Sequence, residues 1–201
     1  MPHPRSFAPL LALALAACPA ATTSTTTSPA HAPADPALSS GASEPSAAST
    51  ACVGAPVAPP TGAHEVDDPA LVARAVGGPG EGKLCAGKAY EVTQPIVVHR
   101  VWQSAKAYTL FGGWWSLEAP RGPVGEFRAR YEVCPEWSTL DVASTCTLKV
   151  GARFVIGPGQ SARCADGSTL GASPANQLFV PNDSRAGVVL VEGCEPPTAW
   201  P

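Results

Sequence analysis

Charge is scarce in this chain. Asp, Glu, Lys and Arg make up 14% of 201 residues, 16 acidic side chains oppose 13 basic ones, and lysine and arginine never form a run. Nucleic-acid binding rests on a basic patch that neutralises phosphates, so this shortage counts against DNA and RNA as partners. A long apolar run is missing too, because the stretch at residues 7–17 is too short to span a bilayer. His64 and His99 stand alone, and no serine lies in a nucleophile-elbow setting, which leaves a Ser/His/Asp hydrolase without an anchor. No two cysteines show the two-to-four-residue spacing of a zinc knuckle and no histidine lies near them, so no metal is expected. Gly157-Pro158-Gly159 reads as a turn rather than a phosphate loop, since neither a lysine nor a helical pattern follows it.

What the N-terminus has is a short basic start at Arg5, the apolar run, and then Leu15-Ala16-Ala17-Cys18. This pattern resembles a bacterial lipoprotein signal, residues 1–17, cleaved before Cys18. The resemblance implies a diacylglycerol on the Cys18 sulfur, and two or more acyl chains anchor stably. Pro19 stands where an inner-membrane-retained lipoprotein commonly has aspartate, which favours the outer membrane or cell surface. Residues 18–63 are built almost wholly of Ala, Pro, Ser, Thr and Gly and cannot form a core. As a disordered tether they would reach about 40 Å as a coil and about 140 Å fully extended.

With Cys18 set aside, six of the seven cysteines remain: Cys52, Cys85, Cys134, Cys146, Cys164 and Cys194. Export to an oxidising compartment predicts three disulfides among them, with the connectivity open. Cys134 with Cys146 is the pair to name first, on closeness in sequence alone. Cys52 predicts that the end of the tether is stapled back onto the folded unit.

Residues 64–201 read as one folded α+β domain. A short helix opens at Asp67 or Asp68 with Pro69 next and ends at Gly77-Gly78. Residues 88–93 and 96–102 read as strands, the second expected to be covered on both sides, and residues 114–117 as another. The clearest helix begins at Pro123, with Val124, Phe127, Tyr131 and Cys134 on one face and Glu126/Arg130 and Arg128/Glu132 as i,i+4 pairs. Pro135 ends it, and residues 136–144 add a turn that buries Trp137 and Leu140. Strands are then expected at residues 145–150, 152–156, 160–164, 176–180 and 187–192. Strands on either side of one main helix make a strand-rich α+β fold.

The organising stretch is residues 96–117, IVVHRVWQSAKAYTLFGGWWSL. Arg100 is its anomaly, because a guanidinium inside an apolar strand needs a carboxylate, a cluster of carbonyls or a phosphate. Glu91 and Glu118 are the carboxylates at hand for a plain ion pair. Trp114 and Trp115 suit a core as well as a pocket wall.

In order, VVHRVW, GGWWSL, a helix, RFVIGPG and NQLFVPN resemble the ADP-ribosyltransferase-like fold, nearest to bacterial NAD-hydrolysing toxin domains. The resemblance covers residues 89–191. It implies that Arg100 grips the phosphates of NAD, that Ser116 beside Trp114 and Trp115 is the second motif, and that Gln177 stands at the position of the third. Breaking the nicotinamide–ribose bond passes through an oxocarbenium-like state, which needs positioning more than acid–base work. A glutamine cannot act as a general base, so hydrolysis of NAD is implied over transfer to a protein side chain. The implied site is therefore Arg100, Ser116 and Gln177 for catalysis and Arg100, Trp114, Trp115 and Ser116 for NAD, with no metal. The implied partners are the membrane, through Cys18, and, for a toxin, a target or an immunity protein that no residue pattern identifies. A non-enzymatic, surface-displayed binding module is the alternative compatible with the same residues.

Overall fold

The computed structural model describes residues 52–201; the signal, the lipidation site Cys18 and residues 19–51 lie outside the described residues. Among the described residues, no helix is long and apolar enough to cross a membrane. Cys52 is bonded to Cys85. Beyond it, the Val57 N–H donates to Asn176 Oδ1 at 3.1 Å and the Tyr90 hydroxyl donates to the Val57 carbonyl at 3.2 Å. Asn176 Nδ2 also donates to the Ala55 carbonyl at 3.2 Å, so the expected stapling of the tether's end is present, made of one covalent bond and these hydrogen bonds.

The chain then runs through β1 (Ala63–Glu65), α1 (Pro69–Ala75), β2 (Lys88–Val92), β3 (Ile96–Trp102), a 3₁₀ turn (Ala107–Phe111), β4 (Trp114–Trp115), α2 (Val124–Tyr131), β5 (Val142–Leu148) and β6 (Arg153–Gly159). It closes with β7 (Ala162–Arg163), β8 (Thr169–Leu170), β9 (Ser173–Phe179), β10 (Val191–Glu192) and β11 (Thr198–Ala199). It is a strand-rich α+β fold held by three disulfides. One antiparallel sheet has the order β1-β2-β6-β9-β4. In the second, β3 pairs with β5 along its whole length, from Ile96 opposite Leu148 to Trp102 opposite Val142. β10 and β11 take the two ends of β5's other edge.

The two sheets bury the main core between them, with Tyr90, Val98, Trp115, Leu148, Phe154, Ile156 and Leu178 all but inaccessible. Each such large side chain contributes about 1.5 to 3 kcal/mol through the apolar surface it removes from water. α1 covers the other side of the first sheet, packing Leu71 and Ala75 on Leu84, Ala89 and Val155. Asp68, not Asp67, caps it by accepting from the Leu71 N–H at 3.0 Å, and Pro69 fills the first turn, where a missing N–H costs nothing. α2 packs Phe127 and Tyr131 on Val101 and Leu140.

Several expectations are corrected. Cys134 pairs with Cys164, and Cys146 with Cys194. Cys146 points into the core from β5, opposite Val98, so nearness in sequence to Cys134 brings no nearness in space. Gly157-Pro158-Gly159 is not a turn but the end of β6, paired with β9 across a β-bulge between Pro158 and Gly159. β3 is covered on one side only at its start, since Val97 is 54% exposed. α2 stops at Tyr131, before Cys134 and Pro135, because Glu132 turns left-handed at φ 49°. The helix-face pairs do not form either: Arg130 reaches Glu118, and Arg128 donates to the carbonyls of Val133 and Ser138. Trp137 is 45% exposed rather than buried.

Candidate functional site

The two sheets are stitched at one point. The His99 N–H donates to the Ser116 carbonyl at 2.8 Å and the Ser116 N–H donates back to His99 at 2.9 Å, joining β3 to the end of β4. Beside this stitch a cavity of about 330 Å³ opens, lined by Arg100, Trp114, Trp115, Ser116, Glu132 and Gln177, among others. All five residues to which the resemblance gives a part in NAD chemistry therefore border one space, although they come from β3, β4, the residue after β4, and β9. A cavity of this size suits a small aromatic ring with part of a sugar.

Arg100 does not pair with Glu91 or Glu118. Glu91 is taken by Arg153, with Nε to Oε2 at 2.9 Å, and Glu118 by Arg130 at 2.6 Å. Arg100 instead answers its buried charge with carbonyls: Nε donates to Thr109 O at 2.8 Å and Nη1 to Trp114 O. The guanidinium lies over the Trp115 ring at 5.8 Å, a cation–π contact. Gly112 makes this possible, since a Cβ there would stand 2.2 Å from Nη2. Burial lowers the guanidinium pKa to about 10, which leaves it cationic at neutral pH. Arg100 also borders a second, open cleft beside Asn182, Asp183 and Ser184. Among the described residues its hydrogen bonds use Nε and Nη1, leaving Nη2 for an anionic group at the junction of the two spaces.

The tryptophans divide their roles. Trp115 is 3% exposed, packs in the core and donates from Nε1 to Gly112 O at 2.8 Å, yet one side of it borders the cavity. Trp114 is partly buried and packs tilted against Phe179 with ring centroids 5.1 Å apart, and it also borders the cavity. Ser116 is buried and donates its hydroxyl proton to Glu118 O at 2.7 Å, so its oxygen is left as an acceptor. Trp137, half out in solvent over Gly82, borders the mouth.

The residue that sequence reasoning missed is Glu132. It is 0% exposed, and its Oε2 accepts from Gln177 Nε2 at 2.7 Å. Its Oε1 is the one buried side-chain polar atom without a hydrogen-bond partner among the described residues. Burial raises the carboxyl pKa to about 8, only partly offset by Ser173 and Gln177, so the acid is mostly protonated at pH 7. Room for it comes from Gly159, where a Cβ would stand 1.8 Å from Oε2. A left-handed non-glycine costs on the order of 1 to 3 kcal/mol and persists where packing over-determines it. The signal in the sequence was faint: a glutamate four residues after Arg128 at an exposed-looking helix end reads as half of an ion pair.

Cys134, Glu136 and Cys164 lie within metal-ligating distance of one another, but the two sulfurs are bonded to each other and supply no thiolate. Comparison with known proteins found no family model, no curated protein and no solved structure that matches this chain.

Proposed function

We propose that the chain is an ADP-ribosyltransferase-like domain that binds NAD and hydrolyses its nicotinamide–ribose bond. The observation that carries the reading is that Arg100, Ser116 and Gln177 border one aromatic-walled cavity, with Arg100 at its junction with an open cleft. In this reading nicotinamide stacks in the cavity against Trp114 or Trp115, and Arg100 offers Nη2 to the pyrophosphate. Gln177 accepts from a ribose hydroxyl. The C–N bond breaks with its electron pair passing to nicotinamide, water adds to the ribose carbon, and its proton passes to solvent. The products are ADP-ribose and nicotinamide.

A second reading has its own support. Arg100 is bonded to two backbone carbonyls and Ser116 to a third, as expected of residues that only brace the junction of the sheets. In that case the domain is a displayed binding module without turnover. Incubating the purified, oxidised full chain with NAD, while following nicotinamide release and binding heat together, separates the two. Absence of both signals removes the NAD reading.

The proposal also places the chain outside the cytoplasm, lipid-anchored through Cys18 at the outer membrane or cell surface. Its three disulfides support an oxidising compartment. NAD is mainly cytosolic, so an outward-facing toxin domain would meet its substrate in another cell.

A further inference from the structure

Glu132 has no part in the cleavage described above, yet the fold goes to some length to hold it. Its backbone is left-handed at φ 49°, and Gly159 leaves the gap its carboxyl occupies. Neither feature is needed merely to end a helix, which a glycine at the same position would do without strain. Burying a carboxyl with one oxygen unpartnered is also unfavourable, so packing gives no reason for an acid there. The carboxyl's 2.7 Å hydrogen bond to Gln177 points to the reason.

We propose that Glu132 is the positioning residue of Gln177, fixing which end of its amide faces the bound ligand; this rests on the reading of the cavity as an NAD site. A glutamine amide can turn over by half a rotation, exchanging its donor for its acceptor at little cost. An ionised carboxylate admits only one sense, with Nε2–H toward Glu132 Oε2 as found at 2.7 Å, whereas the protonated acid can also donate to the amide oxygen. The amide oxygen then points away from Glu132 and is the acceptor offered to a ribose hydroxyl. Both side chains are buried, at 0% and 5% exposure, so water does not compete for the bond.

Of the other groups that face this pair, Ser173 alone acts on the carboxyl, lowering its pKa. Arg100 borders the same cavity, but its guanidinium is engaged with the carbonyls of Thr109 and Trp114. His99 Nδ1 is within 3.2 Å of the Thr145 hydroxyl. Tyr131 packs tilted against Phe127, and the Ser173 hydroxyl donates to Arg130 O. Burial alone raises the Glu132 pKa to about 8, and no charged side chain is among the causes.

Side-chain amide NMR of the full oxidised chain, paired with nicotinamide-release kinetics, tests this. In the wild type, the Gln177 amide protons should exchange at least roughly ten times more slowly than those of exposed Gln94, and should shift with a midpoint near pH 8. Glu132→Gln can bond in either sense at every pH, so the titration should be lost. Above pH 8, where Glu132 is ionised, its kcat should fall below the wild type's by roughly 10- to 100-fold, with KM changed far less. A Gln177 amide that exchanges like Gln94 and ignores pH overturns the proposal, as does an unchanged kcat in folded E132Q in that range. If E132Q does not fold, the wild-type amide signal decides alone. A wild type that releases no nicotinamide while its Gln177 amide still titrates overturns the NAD reading instead, and that signal tells the two failures apart.

Discussion

Gln177 on β9 and Glu132 at the end of α2 share a buried 2.7 Å hydrogen bond across 45 residues of chain, inside a cavity that also holds the Arg100 guanidinium. The acid is kept neutral while the base stays charged, so the cavity carries a net positive charge at pH 7. That polarity suits the phosphates of a dinucleotide better than it suits a cation.

The same acid should make stability depend on pH. Its ordinary value is 4.5 and its folded value is about 8, so between these pH values the unfolded chain has lost the proton and the folded chain still holds it. The unfolded state then binds fewer protons, and stability falls as pH rises through this window. Glu132→Gln should remove that fall, which amounts to a few kcal/mol, on the order of 1.4 kcal/mol for each pKa unit. Denaturant midpoints of both proteins at pH 5 and pH 8 measure it; parallel profiles would contradict the assignment.

Arg100→Ala should weaken NAD binding by roughly 1.5 to 3 kcal/mol, the range for a charge-assisted contact. It should also destabilise the fold by about 1 to 3 kcal/mol, because the carbonyls of Thr109 and Trp114 lose their donor. Arg100→Lys keeps the charge without the fork and should recover little of either. Calorimetry and denaturation on one preparation read both effects. A stability loss with unaltered NAD affinity would make Arg100 a brace alone.

Gly159→Ala should drive the Glu132 carboxyl from its gap and cost about 1 to 3 kcal/mol, since a Cβ there meets Oε2 at 1.8 Å. In a Glu132→Ala background the same change should cost much less, because the clashing group is gone. Equal costs in the two backgrounds, measured by thermal denaturation, would place the strain elsewhere.

Cys18→Ala should release the protein from the membrane fraction. Fractionation with mass measurement of the N-terminus checks this; retention of the variant in the membrane would end the lipid-anchor proposal.

The sequence by itself determined the local pieces. Asp68-Pro69 starts α1, an apolar run marks β3, Pro123 opens α2, and an even set of six cysteines beyond Cys18 pairs completely. Arg100 was legible because a charge inside an apolar strand stands out, whereas Ser116 and Gln177 were reached only through the resemblance of the motif order to the ADP-ribosyltransferase-like fold. These signals depend on neighbours a few residues away, and side-chain periodicity carries them.

Only the tertiary structure decided the rest. Which cysteine meets which depends on the face of β5 that Cys146 occupies and on where the segment after α2 is carried, neither of which spacing encodes. Gly157-Pro158-Gly159 looked like a turn because glycine and proline are turn residues. Its glycines are there instead because Cβ atoms would strike Ala86 O and the Glu132 carboxyl, contacts between segments far apart in the chain. Glu132 itself was invisible for the same reason: a carboxyl at a helix end is solvated unless a distant strand covers it, and here β6 and β9 do. Burial by remote segments, rather than any local pattern, turned a surface acid into a neutral group in the cavity.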